Sequence, residues 1–599
     1  MPERNSIGPW LALRAPLLLL GLVMGASLLV RMHGIRHGYP DYVGTDERLI
    51  VKEVVHFFDD GTLRPSHYNY PAFYSYLYAG AMYGCRILGG LDSVAGLQLP
   101  LGFALTFNAV LFALVGRWLS LLAGVALVGL TYLLGCRAYG RWVGLGGAIF
   151  AACSTTLVGY SRLALPEMTM ALLATGACYC WVDIAERGRR TMYLAGGLLA
   201  GLAISTKYNA GLVLAGLAVA HLLRWRRERP AGTRIHLDLG LALGAAALAF
   251  LAGSPYWALS FGEYHQALLN VQSNTRFSSG AEVAWPWLLL LKSVWTTEMA
   301  WGVVATLGCG YAAWRRQPAD WVLLAVLLGG FIYVGSWQRT SLHYLICLAP
   351  LAGLLGARLV LDHLRVYCRV WGVALLGLVS LPNAWRQAQQ GQALAGDDLN
   401  LRAARWIEEH IPNGAVIGGY WLSYLPPLKG IRQQEKLQSL MAEHQQDPRT
   451  VQALRELAER HRYYRCMRLH YFADEPQVPA EYSEQVDLSD PKTRRIFTNV
   501  WLDYDQIHQF GVEYVLLSSA AYGRFFTGES PPMGTPAHYF HTRSREFVSQ
   551  FFDESSGRYE LVADFTDGQG QRVSLLRVLP SAQVAVHLEA PGSGQYQSF

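Results

Sequence analysis

Eleven apolar stretches, each near the ~20 residues that one bilayer crossing requires, occupy most of the first two thirds of the chain. They run Leu11–Val30, Arg117–Leu134, Trp142–Gly159, Ala164–Ile184, Met192–Thr206, Tyr208–Leu223, Ile235–Gly253, Met299–Trp314, Trp321–Ser336, Leu342–Val360 and Val366–Leu381. Such a series leaves little besides a polytopic α-helical membrane protein. Met192 to Leu223 is nearly continuous, about 48 Å of helix at ~1.5 Å per residue against a hydrocarbon core of about 30 Å. Charge divides it in two, because Arg187, Arg189 and Arg190 precede it and Arg224, Arg226, Arg227, Arg229 and Arg234 follow it. Both basic loops belong on the cytoplasmic side, so the chain crosses twice between them and turns at Lys207.

The same rule puts Arg137 and Arg141, Arg315 and Arg316, and the segment Arg358 to Arg369 on that side. The N-terminus is then cytoplasmic. The first loop, Ser254–Pro286, Trp337–His343 and the C-terminal third are extracytoplasmic, as in a multi-pass protein of the cell (inner) membrane. Arg4 and Arg14 flank an apolar run to Val30 with no small-residue cleavage site, which predicts a retained first span. The net charge of +6 is accounted for by basic loops, so nucleic acid is not an expected partner. Six of the nine cysteines (Cys136, Cys153, Cys178, Cys180, Cys309, Cys347) lie in apolar runs, which excludes a disulfide framework and a CxxC metal knuckle.

The polar stretch from Gly44 to Tyr78, directly after the first span, is where chemistry is expected first, since ionisable groups beside a bilayer are costly. Apolar patches at Leu49–Phe58, Pro71–Tyr83 and Leu99–Val115 predict helices lying at the interface within this first loop. Thr45 suits an N-cap, and Asp46 and Glu47 in the turn after it would complement the helix dipole, so capping alone also explains these two acids.

From about Gln387 the chain becomes polar and mixed. Asp397–Pro412 predicts an amphipathic helix, Ala415–Ile417 a strand, Asp503–Phe510 a helix and Val512–Leu517 a buried strand. Late strands are expected at Tyr559–Phe565 and Arg572–Val578. This alternation implies an α/β soluble domain over 387–588 after a transmembrane domain over 1–386, with a disordered tail at 589–599.

Several segments together resemble the GT-C glycosyltransferases of the protein O-mannosyltransferase and aminoarabinose-transferase type. They are the acid-bearing first loop followed by Arg117, SRLALPEMTMALL (Ser161–Leu173), TKYNAGL (Thr206–Leu212) and RTSLHYLICLAP (Arg339–Pro350). RAARWIEEHIPNGAVI and FGVEYVLLSS resemble the external domain of bacterial members. The chain departs from the pattern at His343-Tyr344, with Arg339 one helical turn earlier, and Lys429–Asp490 matches nothing in it.

The resemblance implies a GT-C fold and an inverting transfer from a polyprenyl-phosphate-linked sugar donor to a hydroxyl of a lipid, glycan or protein acceptor at the outer (periplasmic) face. Membrane lipids are the surroundings, and no cofactor or metal is expected. A carboxylate is needed as base, Asp46 first and Glu47 second. Arg162, Lys207, Arg339 and His343 are candidates for the donor phosphate, though each also suits anchoring at headgroups. Glu167 is expected to orient Arg162. His56, His67, Tyr68, Tyr70, Tyr264, His265 and Arg276 are candidates to line the sugar or acceptor, against a general preference of Tyr for membrane interfaces.

Competing classes are a lipid-linked glycan ligase or polymerase, a transporter or lipid translocase with a soluble sensor domain, and a receptor-like use of the α/β domain. Transport is disfavoured because the middles of the predicted spans are almost free of ionisable residues.

Overall fold

The computed structural model describes residues 7–580 except 40–41, 88–92, 95–96, 99–103, 106, 229–233, 277–284, 339, 363, 365–367, 397, 422–423, 483–485, 528–529 and 569. The predicted tail at 589–599 therefore lies outside the described residues.

Each of the eleven apolar stretches forms helix. In chain order the helices of the first part are α1 (Ile7–Met32), α2 (Thr45–Asp59), α3 (Phe73–Ile87), α4 (Ala109–Ala138), α5 (Arg141–Cys153), α6 (Thr155–Ser161) and α7 (Glu167–Arg187). They continue as α8 (Arg190–Thr206), α9 (Leu214–Arg227), α10 (Arg234–Gly253), α11 (Phe261–Arg276), α12 (Pro286–Arg315), α13 (Pro318–Gly335), α14 (Ala349–Leu361) and α15 (Arg369–Ala395). By length and composition alone five are able to cross a membrane, parts of α1, α4, α7, α10 and α13, or six if the bent pair α5 and α6 counts as one. The Met192–Leu223 run breaks at Lys207, as charge requires: α8 ends at Thr206, and a 3₁₀ turn over Tyr208–Val213 leads into α9.

Two breaks inside apolar segments share one polar device. α5 and α6 meet at 57° around Ser154, and α12 kinks at Met299, whose φ is 50°. Glu298, buried beside that kink, accepts the backbone N–H of Thr155 (3.0 Å) and Thr156 (2.9 Å), the Ser154 hydroxyl (2.9 Å) and the Asn383 amide (3.1 Å). Amide groups freed at a helix start need an acceptor where water is scarce, and this carboxylate supplies it. Glu298 stands one residue before the predicted span Met299–Trp314, inside the longer α12, and here it serves the backbone.

Charged pairs collect at one end of the bundle. Arg137 reaches Asp183 (2.7 Å) from α4 to α7, and Arg189 reaches the same carboxylate (2.6 Å). Arg190 and Arg224 share Asp238 (2.8 and 2.9 Å), while Asp320 pairs with Arg358 and accepts from Tyr139 (2.8 Å). These are the loops assigned to one face from charge. Arg117 and Lys207 lie on or next to α4 and α8 towards the ends away from Arg137 and Arg190.

α15 runs unbroken through residues 386 and 387, so the boundary predicted there falls within a helix. The polar part then forms α16 (Leu399–His410), α17 (Ile431–Glu443), α18 (Pro448–Glu459), α19 (Pro491–Thr498), α20 (Tyr504–Gln509) and α21 (Pro536–Ser549). Its strands are β1 (Val416–Gly419), β2 (Arg465–Arg468), β3 (His470–Phe472), β4 (Asn499–Trp501), β5 (Tyr514–Ser518), β6 (Tyr559–Thr566) and β7 (Arg572–Val578). Five of these make one sheet in the order β2-β1-β5-β7-β6, with β1 parallel to β2 and β5, and β7 antiparallel to both of its neighbours. β3 and β4 form a separate antiparallel ribbon. Leu437, Leu440, Leu454 and Leu457 of α17 and α18 share a hydrophobic core with Ile50, Val54 and Tyr78 of the first loop. The segment from Lys429 onward, which resembled nothing, thus belongs to the packing that fixes α2 and α3.

Candidate functional site

α2 begins at Thr45, so the N-cap position falls on Gly44, one residue before the Thr45 expected there. Its first turn sends the two acids in different directions. Glu47 is 2% exposed and bidentate to Arg117, with Nε to Oε1 at 2.8 Å and Nη2 to Oε2 at 2.9 Å. Oε1 also accepts the Ala164 N–H at 2.7 Å, and His37 lies 3.7 Å from Oε2. The remaining guanidinium nitrogen, Nη1, donates to the carbonyls of Ile35 and His37, both at 2.9 Å. Burial by itself would raise the Glu47 pKa, but the Arg117 charge and the contact with His37 outweigh it and hold the carboxyl down at about 2. A carboxylate so acidic, with its oxygens committed, is a poor proton acceptor. Glu47 clasps α2, α4 and the turn before α7 together.

Asp46, one residue earlier, is exposed. Its charge, with those of Glu167 and Lys207, reaches the Tyr70 hydroxyl, which burial pushes up to about 12. Lys207, 8% exposed at the break between α8 and α9, donates from Nζ to Glu167 Oε1 at 2.6 Å. The ammonium lies 5.5 Å from the Tyr70 ring and 5.6 Å from that of Tyr344. Glu167 Oε2 is buried and makes no hydrogen bond. Asn209 donates to the Tyr344 carbonyl at 3.1 Å, and His343, bonded to the Ser341 hydroxyl at 2.7 Å, packs between Tyr344 (3.9 Å) and Tyr160 (5.8 Å). Segments far apart in sequence thus converge on one cation: the first loop, the start of α7, the 206–212 turn and the 341–344 turn.

The other sequence candidates fall in three groups. Arg162 is 1% exposed, and its terminal nitrogens donate to the Val30 carbonyl (2.8 Å), the Gln387 carbonyl (3.1 Å) and the Gln387 side chain (3.2 Å). It clamps α1 to α15, and Glu167 pairs with Lys207 where Arg162 had been expected. Arg339 lies outside the described residues, as does the side chain of Arg276. Tyr68 packs edge-on to Tyr264 (4.6 Å) and accepts from Arg64 (3.1 Å), which also pairs with Glu263 (3.1 Å). His67 lies 3.9 Å from the buried Glu53 carboxylate. His56 is tied to Asp60 (2.8 Å) and to the Arg64 carbonyl (3.2 Å), and exposed His265 stacks on Phe261 (5.9 Å). Among the described residues no three His, Cys, Asp or Glu side chains converge as metal ligands.

Glu47–Arg117 and Lys207–Glu167 were the pairings sequence reasoning missed. The signals were present: an arginine opening an apolar run, and an acid directly after Pro166, each buried in lipid-facing segments where a lone charge is untenable.

The helical bundle, the interfacial helices of the first loop and the polar α/β part define a polytopic membrane protein of the GT-C fold. Residues 100–258 match the family model of dolichyl-phosphate-mannose-protein mannosyltransferases. No curated protein sequence matches the chain. Among solved structures, ArnT from Cupriavidus metallidurans in the apo state is similar at 11% identity and TM-score 0.52, over 95% of this chain and 98% of that one. The Archaeoglobus fulgidus oligosaccharyltransferase in the apo form is similar at 12% identity and TM-score 0.50, over 94% of this chain and 81% of that one. The family model covers residues 100–258, and the two structures show the fold that the chain shares over nearly its whole length.

Proposed function

We propose that the protein transfers a sugar from a polyprenyl-phosphate donor to an acceptor hydroxyl with inversion, at the outer face of the cell membrane, and that Asp46 is the base. The observation that carries this reading is the buried Lys207–Glu167 pair, framed by Tyr70 and Tyr344, with exposed Asp46 acting on the same Tyr70 hydroxyl. The acceptor oxygen attacks the anomeric carbon, the bond from that carbon to the phosphate oxygen breaks, and the phosphate leaves with the electron pair. Asp46 takes the hydroxyl proton as attack proceeds, an effect of typically ~10²–10⁴ in rate. Lys207 balances the charge that accumulates on the departing phosphate, and Glu167 fixes the ammonium in place. A phosphate needs no proton to leave, so one base and one cation suffice. Tyr70 and Tyr68, both half-buried, offer ring faces to the sugar or acceptor.

The test is transfer by the purified protein in lipid across a panel of polyprenyl-phosphate sugars, with the product followed by mass spectrometry. Turnover of at least one donor with release of polyprenyl phosphate supports the reading. No turnover of any donor, by protein that remains folded, counts against it.

A further inference from the structure

The sheet of the polar part contains a reversal in strand order. From β1 the chain passes through α17 and α18 to β2 on one flank, and later through α20 to β5 on the other, all three strands being parallel. In open α/β sheets, ligands bind outside the carboxyl ends of the strands at such a reversal. Tyr420 and Trp421 directly follow β1, His470 follows β2 after one residue, and Arg524 lies in the turn beyond β5. Their rings meet there: Tyr420 is 5.8 Å from His470, Trp421 is 6.0 Å from His470, and Phe547 of α21 is 5.2 Å from Tyr420. The Arg524 guanidinium covers Trp421 at 5.3 Å.

Two features are costly for a region whose only task is to fold. Trp421 holds φ at 54°, a conformation that costs a bulky residue on the order of 1–3 kcal/mol and concentrates at ligand sites. The Tyr420 hydroxyl interacts with Ser544, Trp421 and Trp501, whereas His470 Nδ1 is buried without a hydrogen bond. His470 is 8% exposed, and buried polar groups are ordinarily paired. Their surroundings are cationic: the charges of Arg468 and Arg495 act on His470, and Arg495 stands 4.8 Å over Phe472. Aromatic faces stack on sugar rings, unpaired donors and acceptors receive hydroxyls, and guanidinium groups bind carboxylate or phosphate.

We propose that the end of the sheet around Trp421, His470 and Arg524 binds an anionic saccharide. The proposal uses residues other than those around Lys207, and it stands whether or not the transfer reaction is as described above.

The experiment is calorimetric titration of the full chain in lipid nanodiscs with trigalacturonate, glucose 6-phosphate and neutral maltotriose. Saturable binding of at least one anionic probe is expected, with maltotriose at least about tenfold weaker, and the two anionic arms distinguish a carboxylate sugar from a phosphorylated one. Arg524→Ala, at an exposed position where the fold tolerates truncation, should weaken binding about tenfold, and Trp421→Ala should remove it. Lys207→Ala should leave it unchanged. The proposal is overturned if neither anionic probe saturates, if maltotriose binds as tightly, if Arg524→Ala and Trp421→Ala both bind like the unaltered chain, or if Lys207→Ala abolishes binding.

Discussion

Asp46 and Glu47 are neighbours of nearly the same chemistry, and the structure predicts opposite consequences of removing them. Glu47→Ala deletes the acceptor of two Arg117 bonds and of the Ala164 N–H, leaving a guanidinium that is 0% exposed without its counter-charge. Breaking a buried pair from one side costs about 3–5 kcal/mol. The acid titration of the same group gives a similar figure. A carboxyl at about 2 in the folded chain against an ordinary 4.5 stabilises by about 3 kcal/mol above pH 4.5, and that contribution is lost as pH falls from 4.5 towards 2. Melting of the detergent-solubilised protein should therefore drop by on the order of 5 °C or more in Glu47→Ala. Glu47→Ala combined with Arg117→Met should recover part of this loss, because no unpaired charge remains. Asp46→Asn, at an exposed position, should melt within about 0.5 kcal/mol of the unaltered chain while its transfer rate falls by ~10²–10⁴. The reasoning is refuted if Glu47→Ala melts normally, or if Asp46→Asn is the variant that unfolds.

Other consequences are equally direct. Lys207→Ala should raise the apparent KM for donor by about tenfold or more, with Lys207→Arg intermediate, measured by donor titration at fixed acceptor; equal effects of Ala and Arg would assign Lys207 to anchoring. Arg162→Lys should lower the melting temperature and leave the donor KM unchanged, since its contacts are carbonyls of α1 and α15; a raised KM with normal melting would restore Arg162 to the phosphate site. His470, held down at about 4 by burial and by Arg468 and Arg495, stays neutral in the fold. Its contribution is full above the ordinary value of 6.5 and is lost as pH falls from 6.5 towards 4, by up to about 3 kcal/mol. His470→Gln should flatten the fall in melting temperature across that window, and an unchanged slope would contradict the assignment.

The helices and the sheet were legible in sequence for different reasons. Apolar length and the placement of arginines located helix in the eleven apolar stretches and the break at Lys207, because lipid permits a charge only at an end or in a pair. In the polar part, Pro412-Asn413-Gly414 marked the exit from α16, and the apolar run before Ser518 marked β5. The kink at Met299 left no composition signal, since its freed amides are served by Glu298 across a distance in sequence that no local pattern encodes. The same limit governed the site. Type and position singled out Asp46 and Lys207, but which acid meets which base depends on how α2, α4 and α7 pack. Glu47 with Arg117 and Glu167 with Lys207 were therefore not separable from Asp46 or Arg162 until the helices were in place.

The most direct test of the central claim is a single-turnover measurement of polyprenyl phosphate release from a bound donor, comparing the unaltered protein with Asp46→Asn at saturating acceptor. The account predicts that Asp46→Asn binds donor with unchanged affinity and releases polyprenyl phosphate ~10²–10⁴ more slowly. Release at the unaltered rate would show that Asp46 is not the base and would contradict the account.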